Sequence, residues 1–263
     1  MSPGILLGTT FPLKDAVQTE DIHYGSLSPT QAVSCDGPSV NGEPTVFSLF
    51  SPRQLVGSPL LPSLQSVINA AFSLGHSRDA VLPANALRLQ REGQYLEELG
   101  DAPGTFTYIV HRRDGRTVLA TATSKRYSGP FKVVHESQSQ HKTFTRITQP
   151  DPDIQEWELN LMAVEPSAQS QGLASYLMQL VEKEIRSRCK QAVDRPRNIK
   201  LVLTTIKEIN EKFYARRGFT MDYETFHGPG YLRSPRGFTV IHMSRSIENE
   251  PWDPLEHGQS IEQ

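Results

Sequence analysis

"AVEPSAQSQGLASYLMQLVE" occupies residues 163–182. It starts apolar, passes through a small polar loop with one glycine, and ends with the spacing of an amphipathic helix. From there on, Leu173, Leu177, Leu180, Val181 and Ile185 share one face. Glu182, Lys183, Arg186 and Lys190 share the other, and Glu182 can pair with Arg186 one turn away. The junction therefore reads strand, tight loop, helix. A helix N-terminus exposes unpaired N–H groups and a partial positive charge, so it can receive phosphate without a lysine. In "QSQGLA" (residues 169–174) Gly172 removes the side chain at the tightest point, and Gln169 and Gln171 offer side-chain donors. The same residues also suit a plain strand-to-helix turn.

Working outward, residues 156–164 ("EWELNLMAV") alternate Trp157, Leu159 and Leu161 against Glu156, Glu158 and Asn160, as a half-buried strand does. Residues 199–205 ("IKLVLTT") are almost continuously apolar, the pattern of a central strand. A short helix, "EINEKFYARRGF", follows and is closed by Gly218. Upstream, residues 105–113 and 116–125 flank Asp114-Gly115, a tight-hairpin signal. Residues 45–50 read as a strand. Residues 61–75 read as a helix, with Leu64, Val67, Ile68, Ala71 and Phe72 in register and Gly75 as its stop. A second helix is predicted within residues 85–100, capped by Gly100. Strands near 219–225 and 238–246 close the domain. Residues 1–44 read as an irregular arm with one short strand near 5–7, residues 127–143 as an exposed insertion, and residues 248–263 as a frayed tail. The order is strand, two helices, three strands, helix, strand, helix, two strands, which is an α/β arrangement with one helical crossover.

Composition narrows the function. The 263 residues, 37% hydrophobic and 21% charged, suit one generous domain with a sizeable core. A net charge of -2 gives no electrostatic case for nucleic acid or an anionic membrane surface. No apolar run approaches the roughly 20 residues that cross a bilayer. The first residues lack the basic start of a signal peptide. Cys35 and Cys189 form no framework and no Asn-x-Ser/Thr acceptor occurs, so a reducing, cytoplasmic setting is expected. Phosphate-loop, dinucleotide and His-Glu-x-x-His motifs are absent, and "GHSRD" (residues 75–79) lacks the second glycine of a nucleophile elbow.

Residues 169–174 resemble motif A of the GNAT superfamily of N-acetyltransferases, Gln/Arg-x-x-Gly-x-Gly/Ala, with Gln169, Gly172 and Ala174 in its defining positions. "FYARRGF" (residues 213–219) resembles the family's Phe/Leu-Tyr-x-x-x-Gly-Phe segment, and the strand order is also similar. The resemblance covers about residues 45–247. It implies a mixed, mostly antiparallel seven-strand sheet flanked by helices and splayed between its fourth and fifth strands, residues 156–164 and 199–205. It implies acetyl-CoA as co-substrate and no metal. The pantetheine amides are then expected on the backbone of Met162, Ala163 and Val164. The pyrophosphate is expected on Gln169, Ser170, Gln171, Gly172, Leu173, Ala174 and Ser175. Where many members carry Asn seven residues before the Tyr, this chain has Lys207. Asn210, one turn before Tyr214, and Phe213 are counted with the cofactor residues instead. Gln171 stands where Arg is common.

Acetyl transfer to an amine requires loss of an ammonium proton, a polarised thioester carbonyl, and a proton for the leaving thiolate. Glu158 is the candidate base, at the strand position where some members carry a catalytic Glu. Glu156 shares its face, and Asn160 could orient a substrate. Tyr214 is the candidate acid, with core packing as its other reading. His76 and His227 fall in stretches that border the acceptor pocket in such folds. The expected reaction is direct attack of a primary amine in a ternary complex. A small molecule is favoured over a protein because the overall charge is near neutral, and a monomer or homodimer is expected. A non-catalytic acyl-CoA sensor is the alternative.

Overall fold

Period-two hydrophobic patterns build one mixed sheet in the computed structural model of the chain, which describes residues 32–79, 81–83, 86–91, 93–100, 102–127, 153–192 and 198–247. Among the described residues the strands are β1 (Val33–Asp36), β2 (Thr45–Phe50), β3 (Phe106–Arg112), β4 (Val118–Arg126), β5 (Ile154–Val164), β6 (Asn198–Ile206), β7 (Thr220–His227) and β8 (Phe238–Ile247). Their order across the sheet is β1-β2-β3-β4-β5-β6-β8-β7. Every neighbouring pair is antiparallel except β5 and β6, which run parallel from Ile154 opposite Asn198 to Glu158 opposite Val202. The expected parallel pair is thus present, one place later in the count. The sequence pattern predicts seven strands and the structure has eight. The addition, β1, lies within the stretch read as an irregular arm, and all four of its residues are exposed, so no apolar period marks it. The strand expected near residues 5–7, the insertion at 128–143 and the tail at 248–263 lie outside the described residues.

Helices cover both faces. They are α1 (Pro52–Leu55), α2 (Leu61–Asp79), α3 (Gln94–Leu99), α4 (Leu173–Gln191) and α5 (Lys207–Ala215). On α4, Leu173, Leu177, Met178, Val181, Ile185 and Cys189 form one buried stripe. They pack on Trp157, Leu159, Leu201 and Leu203 of the sheet. Each such side chain contributes about 2 kcal/mol by burial. Glu182 pairs with Arg245 of β8 rather than forming the expected in-helix pair with Arg186. On the opposite face, Leu64, Val67 and Ile68 of α2 pack with Ile109 and Val118.

Two helix readings are corrected. The sequence predicts a stop at Gly75, yet α2 continues to Asp79, so His76 belongs to a helix and not a loop. A Cβ at Gly75 would lie 3.3 Å from Cγ2 of Ile209 in α5. The glycine allows two helices to approach and does not end one of them. Within residues 85–100 only Gln94–Leu99 is helical, capped as expected by Gly100, whose N–H donates to the Leu96 carbonyl. Asn69 holds the segment before it, donating to Leu89 O at 2.9 Å and accepting from Leu89 N–H at 2.8 Å.

The third correction lies inside β5. Thr123 of β4 faces Asn160, and Thr121 faces Ala163, so β5 takes three steps where β4 takes two. The extra residue is a β-bulge at Leu161, whose φ is 46°. Asn160 Oδ1 accepts from the Leu161 N–H at 2.8 Å and steadies it. Trp157 and Leu159 face α4, but Leu161 and Ala163 join the core beneath α2. Met162 and Val164 turn to the α4 side in their place. Uniform alternation through Leu161 is therefore wrong for the structure, and Asn160 holds backbone where a substrate-orienting role is the sequence expectation.

Candidate active site

Beyond Glu158 and Val202, β5 and β6 part. The ladder of β6 continues along β8 to Ile206 opposite Val240, and that of β5 continues along β4 to Val164 opposite Ala120. The edge of β5 from Leu159 to Val164 that faces β6 therefore has no strand partner among the described residues. Met162, Ala163 and Val164 lie along this gap, where backbone groups are available to an extended ligand. The Val164 carbonyl already accepts from Gln169 Nε2 at 3.3 Å, which ties the following loop back to the strand.

That loop passes through a 3-10 turn, Pro166–Ala168, before α4 begins. Ser170 and Gly172 both adopt positive φ, 65° and 82°. The first N–H of the helix end to find a partner is that of Tyr176, on Gly172 O at 3.0 Å. Among the described residues no acceptor meets the N–H groups of residues 170–175. Unpartnered donors at the start of a helix, with its dipole behind them, fit an anion. Apart from its two chain neighbours, none of the described residues comes within 4 Å of where a Gly172 Cβ would sit. The fold needs glycine there for its conformation, while the space above it stays open. Gln171 Nε2 is taken up by Asn41, so its amide is not the free donor that the sequence suggests. The Ser175 hydroxyl accepts from Arg217 Nη2 at 2.6 Å. Arg216, Arg217 and Arg245 line an adjoining groove of about 560 Å³.

Glu158 lies at the foot of the gap, on the face turned away from α4. It lines a cavity of about 70 Å³ with Glu156, Tyr127, Lys200, Asp222, Tyr223 and His242. Lys125 Nζ lies 3.6 Å from Glu158, and Lys200 Nζ lies 3.8 Å from Glu156 and 3.9 Å from Asp222. Three carboxylates thus share two ammonium groups, a balance that favours a cationic guest. His242 stacks on Tyr223 with centroids 4.0 Å apart, and its Nδ1 meets the Thr204 hydroxyl at 3.0 Å. Burial pushes its imidazole down to about 4, against a smaller opposing pull from Asp222.

The His242 value has a measurable consequence. Its folded pKa lies below its unfolded one, so as pH falls the unfolded chain takes up the proton first. Stability is full above about pH 6.5 and drains as pH falls to about 4. After allowance for its partial solvent contact, the loss is about 2 kcal/mol. Urea unfolding at pH 7 and pH 4.5 should show a steeper fall for the wild type than for His242→Gln. Equal falls in the two proteins would mean that His242 takes up its proton as readily when folded as when unfolded.

Tyr214 is 8% exposed, in the core under α4, with its ring against Phe213 and Phe219. Burial raises its phenol well above the usual tyrosine range. It lies on the face of the sheet opposite Glu158. Leu203 and Met243 belong to its core cluster and also line the Glu158 cavity, but Tyr214 itself does not line that cavity. Phe213 lies beneath Arg217, 3.6 Å from ring centroid to guanidinium. Asn210 Nδ2 donates to Thr205 Oγ1 at 2.9 Å, at the end of β6. Lys207 pairs with Glu224 at 2.5 Å. His227 ends β7 and stacks on Tyr231, centroids 4.3 Å apart. Asn41 and His242 were missed in the sequence, although Asn-Gly at 41–42 is a readable turn signal. Among the described residues no group of His, Cys, Asp and Glu is arranged to hold a metal ion, and no helix is long and apolar enough to cross a membrane.

Residues 131–221 match the family described as acetyltransferase (GNAT) domain. None of the curated protein sequences matches the chain. Among solved structures, the chain is similar to the ribosomal-protein-S18-alanine N-acetyltransferase from Escherichia coli, with 15% identity, 80% of this chain and 99% of that one covered, and a TM-score of 0.46. It is also similar to an aminoglycoside 6'-N-acetyltransferase complexed with coenzyme A, with 14% identity, 78% and 98% covered, and a TM-score of 0.45.

Proposed function

We propose, from the premise that the chain belongs to the GNAT superfamily of acetyl-CoA-dependent acetyltransferases by its match over residues 131–221, that it acetylates the primary amine of a small molecule by direct attack in a ternary complex. The observation that carries this reading lies along β5. The edge of β5 from Leu159 to Val164 has no strand partner among the described residues, the N–H groups of residues 170–175 beyond one end of it meet no acceptor among them, and Glu158 precedes the other end; this run along the strand supports the reading.

Acetyl-CoA supplies the acyl group as a thioester. Residues 169–175 hold its pyrophosphate, and the backbone of Met162, Ala163 and Val164 aligns the pantetheine arm and polarises the carbonyl. Asn210 and Phe213 border the arm from α5. Glu158 takes the proton of the incoming ammonium, directly or through a water. As the C–S bond breaks and the C–N bond forms, Tyr214 gives its proton to the thiolate, and the second proton shed by the acylated nitrogen returns through water to the phenolate. Two features support a small, unhindered amine. The cavity beside Glu158 is only about 70 Å³, and the net charge of -2 leaves little field for a strongly basic protein tail.

A thiol-release screen with acetyl-CoA over amines, amino acids and polyamines tests the reading. Release of free coenzyme A that depends on one class of amine is the expected result. Tight coenzyme A binding with no release across the panel would instead make the chain an acyl-CoA sensor.

A further inference from the structure

The loop that receives the cofactor in this reading holds a conformation it does not favour by itself. Ser170 is a non-glycine residue at φ 65°, which costs about 1 kcal/mol. The N–H groups of residues 170–175 meet no acceptor among the described residues. An outside hold is present. Val40 and Glu43 exchange two backbone hydrogen bonds, 2.9 and 3.0 Å, around a turn with Asn41 at φ 53° and Gly42 at φ 80°. Positive φ at both central residues is the tight hairpin turn that Asn-Gly favours. Val40, 1% exposed, seats the turn in the core under α4.

From that seat Asn41 meets Gln171 twice. Its N–H donates to Gln171 Oε1 at 2.8 Å, and its Oδ1 accepts from Gln171 Nε2 at 2.6 Å. Its own Nδ2 reaches the Ser167 carbonyl at 3.5 Å. The contact joins residues 130 positions apart, and Asn41 lies outside the span that matches the family. We infer that Asn41 is a positioning residue which clamps Gln171, and through it residues 169–172, in the conformation that receives the cofactor pyrophosphate. The inference rests on the cofactor reading of the loop. Pre-organised donors cost less to order on binding, so the clamp acts on affinity and not on the chemical step.

The test uses the whole chain as wild type, Asn41→Gly, Gln171→Met and the double variant. Glycine keeps the turn, since it adopts positive φ freely. Calorimetry with coenzyme A and steady-state kinetics with acetyl-CoA are the readouts. Asn41→Gly keeps the backbone N–H bond to Gln171 Oε1 and loses the side-chain one, so it should weaken coenzyme A binding about three- to fivefold, and Gln171→Met, which loses both, about five- to tenfold. The acetyl-CoA KM should rise with each loss, and kcat at saturation should hold in Asn41→Gly. The double variant should bind no worse than the weaker single. Full affinity in folded Asn41→Gly overturns the clamp, as do losses that multiply in the double variant. If Asn41→Gly does not fold, Gln171→Met carries the expectation of weaker binding, and its unchanged affinity sinks the idea. If the wild type fails to bind coenzyme A, the cofactor reading of the loop falls and the clamp falls with it.

Discussion

Glu158→Gln is expected to lower turnover by about 10²–10⁴-fold near neutral pH, while coenzyme A binding is retained. The amide keeps the shape of the side chain and removes its ability to take a proton. The cost to folding is small. Among the described residues the carboxylate pairs with Lys125 at 3.6 Å, and both side chains keep about a quarter of their exposure, where an ion pair contributes about 1 kcal/mol or less. The sign of the pH effect separates the base from the other groups. As pH rises, more of the amine is already neutral, so the deficit of Glu158→Gln should shrink. Tyr214→Phe should also lose turnover, but without that rescue, because its proton goes to the sulfur. Phenylalanine fits the site, since the ring contacts with Phe213 and Phe219 do not use the hydroxyl. Steady-state rates from pH 6 to 9 at saturating acetyl-CoA check both variants. Wild-type turnover in Glu158→Gln at neutral pH would move the base to Glu156 or to a water.

Gly172→Glu is expected to abolish detectable coenzyme A binding in a protein that still folds. Apart from the chain neighbours, none of the described residues comes within 4 Å of the new Cβ, so the added side chain meets open space among them. The conformational cost remains, because φ is +82° and a side chain there costs about 1–2 kcal/mol. That is a few degrees in Tm for a chain of this size. What the variant changes for the ligand is larger. A carboxylate enters the space above the exposed N–H groups and repels a diphosphate at close range. Gly172→Asn serves as the control, because asparagine tolerates positive φ and adds no charge. Calorimetry with coenzyme A should show loss in Gly172→Glu and a smaller reduction in Gly172→Asn. Unchanged affinity in a folded Gly172→Glu would reduce the loop to a turn.

Much of the framework could be read from residue order because its signals are local. The stripe from Leu173 to Ile185 and the apolar run at 199–205 state their elements plainly, and Asp114-Gly115 states its hairpin. The strand, loop and helix start around residues 163–182 could be read by spacing, whereas Glu158 is singled out by the resemblance, with alternation giving only its face of the strand. What escaped were relations between distant parts. β1 carries no apolar period, since all four residues are exposed. Gly75 looks like a terminator until Ile209 is seen against it. His242 becomes notable only where β6 and β7 bring Thr204 and Tyr223 beside it. The Asn41–Gln171 contact spans most of the domain, and a period along the chain cannot report such a pairing.

Leu161 changes the parity of β5. Counting from Ile154, odd-numbered residues at 157 and 159 face α4, and from 162 onward the even-numbered ones do. The strand is two phases of one wave joined at a half-step. A graft, shuffled library or threaded alignment that treats residues 154–164 as one repeating unit will be in phase at Glu158 and out of phase at Val164. Any exchange of this strand therefore has its natural cut at Asn160, with the reading frame of inside and outside reset on the far side.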